Sequence, residues 1–96
     1  MTTRNEFIRD MKAQLDKADT QLSKLEESAK AAGEEARRNL DSEIRSLREK
    51  RDALQTRLEE VKAAGDSAWE ELKVGAESAW QAFSAAVDRA SDRLSR

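Results

Sequence analysis

Apolar side chains return at alternating steps of three and four along nearly all of a 96-residue chain that has no proline and only three glycines, at 33, 65 and 75. That spacing lays one stripe down one side of an α-helix. The scarcity of the two residues that interrupt helices lets those helices be long. Ile8, Met11, Leu15, Ala18, Leu22, Leu25, Ala29 and Ala32 form a first run, and Leu40, Ile44, Leu47, Leu54, Leu58 and Val61 form a second. Two steps of four follow each other from Ala36 through Leu40 to Ile44, a stutter that locally unwinds a left-handed supercoil. Arg51 stands where the second seam expects an apolar group. Either its long stem packs on the seam while its head reaches water, or it is a buried polar residue that selects a partner.

Composition narrows the class further. Charged residues make up 40% of the chain and aromatics 4%, and many of the 38% that are apolar are alanine. This is the composition of coiled coils and long helices, and it leaves little bulky side chain for a thick globular core. Charge is evenly mixed: residues 1–33 carry six of each sign, residues 34–64 eight of each, and residues 66–96 six acids against four bases. With no basic arm, strong attraction to nucleic acid or to an anionic bilayer is not expected. No stretch approaches the ~20 apolar residues of a membrane span. Met1 to Leu15 has no signal-peptide core, so the expected location is the cytoplasm. Opposite charges at helical spacing (Glu26/Lys30, Glu34/Arg38, Asp41/Arg45 and Arg48/Asp52) favour helix by about 0.2–0.5 kcal/mol each.

The strongest break lies in Ala64-Gly65-Asp66-Ser67-Ala68-Trp69-Glu70. Gly65 suits the left-handed end of a helix, and Ser67 with Glu70 three residues on forms a capping box for the next. A similar string surrounds Gly33, but no Ser, Asp or Asn follows it to cap a new helix. The spacing therefore predicts one helix from about Arg4 to Ala63 running through Gly33, with a turn at Gly33 and three helices as the alternative. After the break, Ser67-Ala68-Trp69-x-x-Leu72-x-x-Gly75-Ala76 is echoed eleven residues later by Ser78-Ala79-Trp80-x-x-Phe83-x-x-Ala86-Val87. Eleven residues make almost three whole turns, so the stripe stays nearly straight. A second helix, from Ser67 to about Leu94, is predicted to carry an interaction stripe of Trp69, Leu72, Ala76, Ala79, Trp80, Phe83, Val87 and Leu94. Trp69 and Trp80 fall on one edge of it, where they cover a groove between packed helices or dock a partner.

Catalysis has little raw material. The chain lacks His, Cys and Tyr, which removes the usual base of a nucleophilic triad, the usual zinc ligands, and disulfides. The neighbouring acids Glu26-Glu27, Glu34-Glu35, Glu59-Glu60 and Glu70-Glu71 point about 100° apart on a helix and face solvent. No catalytic, cofactor-binding or metal-binding residue is assigned. Arg45-x-x-Arg48-x-Lys50-Arg51 is broken by Glu43, Glu49 and Asp52 and lies inside the apolar seam, unlike a DNA-binding basic region.

The order of segments is Met-Lys-Ala-Gln-Leu-Asp (Met11–Asp16), Leu-Arg-Glu-Lys-Arg-Asp-Ala (Leu47–Ala53), a glycine break, then Ala-Trp-Glu-Glu-Leu-Lys-x-Gly-x-Glu-x-Ala-Trp (Ala68–Trp80). This order resembles a family of small bacterial coiled-coil stress-response proteins of a cyanobacterial type. The resemblance covers most of the chain and implies a soluble, helical, non-enzymatic protein with a stress-linked role. Through the eleven-residue period alone, the chain is also similar to phasins and exchangeable apolipoproteins. The expectation is a single all-α domain over residues 1–96, built as a helical hairpin or extended coiled coil, with a three-helix bundle as the alternative. It is expected to be a homo-oligomer, most simply a dimer, that binds itself, a partner helix or an apolar client surface. Peripheral coating of lipid or a storage granule is the competing expectation.

Overall fold

A computed structural model describes residues 3–65 and 67–94. The chain forms three α-helices, α1 (Arg4–Ala31), α2 (Glu34–Ala63) and α3 (Ala68–Leu94), in an up-down-up bundle. Thr3 opens α1, its hydroxyl accepting from the Glu6 N–H at 3.1 Å. The molecule is a rod measuring 49 × 17 × 17 Å.

The chain turns at Gly33, so the three-helix arrangement replaces the continuous helix favoured from sequence. Gly33 has φ +111° and ψ 171°, a region of backbone space open in practice only to glycine. Its carbonyl accepts from Arg37 N–H at 3.1 Å and its own N–H donates to Lys30 at 3.3 Å. No side chain caps the first turn of α2; the break rests on a backbone conformation that glycine alone adopts readily. Glu34 and Glu35 in the first turn of α2 add favourable charge at the helix's positive end. A cap is worth only about 1 kcal/mol, whereas folding back lets the whole α2 stripe lie against the α1 stripe. At the second break, the N–H groups of Ala68 and Trp69 donate to the Gly65 carbonyl at 3.2 and 3.4 Å. That turn is built on backbone rather than on the expected Ser67–Glu70 box; Asp66 lies outside the described residues.

The stripes meet in one long core. Met11, Ala18, Leu47, Leu54, Val61 and Phe83 are almost wholly buried in it. Phe7, not Ile8, is the buried first member of the α1 stripe, and its ring lies 5.8 Å from that of Trp69. Ala32, read as the last member, is exposed. Bulk is concentrated toward the Gly65 end. Near the Gly33 end Ala29, Leu40 and Ile44 form a smaller cluster, with Leu94 packed against it. The Arg4 guanidinium donates to the Ala64 carbonyl at 2.6 Å, fastening the start of α1 to the end of α2.

Two glycines respond in opposite directions to the same change. Gly33→Ala is expected to destabilise by about 1–3 kcal/mol, because its backbone conformation, not any crowding, excludes a side chain. Gly75→Ala is expected to stabilise by about 0.5–1 kcal/mol, since an added Cβ meets only the Arg57 guanidinium, at 3.8 Å. Urea unfolding of both variants reads the two signs.

Candidate functional site

The predicted interaction stripe of α3 faces the inside of the bundle. Trp69, Ala76, Phe83 and Val87 are buried, and Leu72, Ala79, Trp80 and Leu94 are half-buried against the same core. The two tryptophans do not share a role. Trp69 is only 6% exposed and belongs to the core with Phe7. Trp80 sits at the rim between α3 and α1, its ring 5.9 Å from Phe83 and below the Lys17 ammonium, which is 5.9 Å from the ring centroid. The stripe's surface is thus occupied by the chain's own other helices, and Trp80 is its most accessible large ring.

The bundle's polar faces are unequal. Between α1 and α2, Arg51 grips Asp19 through two bonds, Nε to Oδ1 at 2.7 Å and a second nitrogen to Oδ2 at 3.3 Å, and also reaches Asp52 at 3.4 Å. Its stem covers the seam while its head pairs with α1, so Arg51 orders two helices of the same chain. The bonds to Asp19 hold its guanidinium above the ordinary arginine value, against a smaller opposing effect of burial. Arg48 pairs with Glu26 on the same side. Between α2 and α3, Arg93 pairs with Glu43. No ion pair joins α1 to α3 among the described residues.

These pairings redistribute the charges read along the sequence. Glu34 with Arg38 and Asp41 with Arg45 do pair along α2, at 3.9 and 2.8 Å. Glu26 and Asp52 instead meet arginines other than their i,i+4 neighbours. The Arg45–Arg51 segment spreads its cations onto Asp41, Glu26, Ser46 and Asp19. Of the adjacent acids, Glu59 bonds Gln55 at 2.9 Å and Glu60 bonds Arg57 at 3.4 Å, while Glu70 and Glu71 face solvent. No group of three or more acids poised to hold a metal gathers among the described residues.

The concave features are open grooves. One, of about 580 Å³, runs between α1 and α3 toward the Gly33 end, lined by Gln21, Lys24, Leu25, Val87, Asp88 and Leu94 among others. The side-chain oxygen of Gln21 is buried beside it with no hydrogen-bond partner among the described residues. Sequence periodicity gives no warning of this groove, because it lies between two stripes and depends on which helices become neighbours. A second groove of about 400 Å³ continues around Leu94 to Leu40. No described helix is long and apolar enough to cross a membrane.

The Asp19–Arg51 pair is partly solvated, so its coupling is expected to be about 0.5–1 kcal/mol. A double-mutant cycle with Asp19→Ala and Arg51→Ala, followed by urea unfolding at low and high salt, should return that value and show it shrinking with salt.

No family model matches the chain, and no curated protein or solved structure matches it.

Proposed function

We propose that this chain is a non-enzymatic structural or interaction protein, with a stress-associated role, that works by packing its helices against a copy of itself or a protein partner. The observation that carries this reading is where the side chains go. Nearly every bulky apolar group is committed to a seam between helices, and the outer faces are charged and laid over open grooves. Such a molecule offers contact area and charge pattern, the currency of helix association. The stress-linked part rests on the resemblance of the Ala68–Trp80 segment. The mixed charge and the lack of a membrane-spanning helix among the described residues suit work among soluble partners in the cytoplasm.

Coating of lipid or a storage granule is the competing reading. Because the α3 stripe faces inward, coating requires α3 to leave the bundle, exposing Trp69 and Phe83 to the new surface. One polar feature favours that route over the opening of α1 from α2: among the described residues one ion pair, Arg93–Glu43, joins α3 to the other helices, whereas two, Asp19–Arg51 and Glu26–Arg48, tie α1 to α2.

Affinity capture from stressed and unstressed cells tests the proposal, with Trp80→Ala as the control variant. Trp69 is unsuitable, since its loss opens the core. The expected result is an identified protein partner, or a second copy, retained by the wild type and weakened in Trp80→Ala. Neutral-lipid vesicles should leave the tryptophan emission unmoved; a blue shift with vesicles and no protein partner would replace the proposal with the coating reading.

A further inference from the structure

We infer that the α1–α3 face is a self-complementary docking surface, and that its occupant is the same face of a second copy, related by a two-fold axis parallel to the rod. This inference rests on the self-association reading above and specifies its surface.

The registration of the two helices is fixed by their contacts. Phe7 lies beside Trp69, Lys73 stands 6.0 Å from the Phe7 ring centroid, and Lys17 stands over Trp80. Leu25 and Val87 line the same groove, and so do Lys24 and Asp88. The two helices run parallel, and each α1 residue is level with the α3 residue about 63 positions on. Helical spacing puts Asp10, Lys17 and Lys24 in one row on the α1 flank. Along that row the charges read minus, plus, plus; at the same heights on α3, Lys73 and Asp88 read plus and minus, with Trp80 level with Lys17. None of these five charges forms an ion pair with any described residue.

A two-fold axis along the rod places the α1 flank of one copy on the α3 flank of the other at the same height. Lys24 then faces Asp88 of the second copy, Asp10 faces its Lys73, and Lys17 faces its Trp80, all attractive. An axis perpendicular to the rod at the height of Lys17 instead sets α1 against α1; it keeps as many opposite-charge pairs but brings Lys17 onto Lys17, which is repulsive, and loses the Lys17–Trp80 contacts between copies. Area agrees as well: a face of 49 by 17 Å is on the order of 800 Å², what each partner gives to a standard-sized complex. The groove supplies the concavity, and Trp80 supplies an aromatic anchor near the middle of the face.

Sedimentation equilibrium of the full chain over a range of about 1–300 μM, with circular dichroism as the folding check, tests the inference. Wild type should be a dimer at the upper end. Lys24→Glu and Asp88→Lys, each alone, should stay helical and dimerise at least ~10-fold more weakly, because each change appears twice across the two-fold. The double variant should recover dimerisation. Failure of the double to recover points to the perpendicular axis, where Lys24 meets Asp10 and Asp88 meets Lys73, and overturns the inferred geometry. Single variants that dimerise like wild type overturn this face while leaving self-association standing. A wild type that stays monomeric throughout overturns both.

Discussion

Burial of three narrow apolar stripes against one another is the interaction on which the rest of this structure depends. Each helix carries its apolar groups on one face, and packing of such a face supplies most of a helix's stability in a protein. Each stripe is therefore the others' solvent shield. The seam is tight where the chain supplies rings and long aliphatics, around Phe7, Met11, Trp69 and Phe83, and thin where it supplies Ala29, Ala90 and Leu94. The grooves follow from that gradient: the one between α1 and α3 opens where Leu25, Val87 and Leu94 are interspersed with small and polar groups and no ring fills the gap.

Polar groups act on top of this seam as registration marks. Asp19–Arg51 and Glu26–Arg48 fix the height of α2 against α1, and Glu43–Arg93 does the same for α3. Arg4 bonded to the Ala64 carbonyl closes the end where bulk is greatest. Partly exposed pairs contribute little stability individually, but each penalises a slipped register in a seam whose leucines and alanines are nearly interchangeable. Among the described residues the α1–α3 side has no ion pair and is registered by the rings of Phe7, Trp69 and Trp80 with Lys73 and Lys17 above them; an open groove runs along it.

Much of the fold was legible in the residues, and the failures have physical causes. The stripe members from Met11 to Ala29, and those from Leu40 to Val61, are the buried ones, because periodicity reports directly on which side of a helix a residue occupies. A search for capping side chains underweights the turn at Gly33, because the break there is a glycine backbone conformation with no side-chain cap. Ile8 displaced Phe7 in the sequence reading because a strict three-four count ignores ring size. The α3 stripe was read as a surface for others. A stripe is the same whether it meets a partner or the remainder of its own chain, and only the turn at Gly33 brings two further stripes within reach.

The sequence by itself determined that the chain is helical, which faces of the helices are apolar, and that the rings of the last third lie in the Trp69–Phe83 segment. Those properties follow from local spacing and propensity, which act within a few residues. The tertiary structure decided that three helices rather than two share the seam, that Trp69 is core while Trp80 is rim, and which charges find partners. Those outcomes depend on residues tens of positions apart arriving at the same height. That height is set by the two turns and by the packing of the whole seam, not by any local signal.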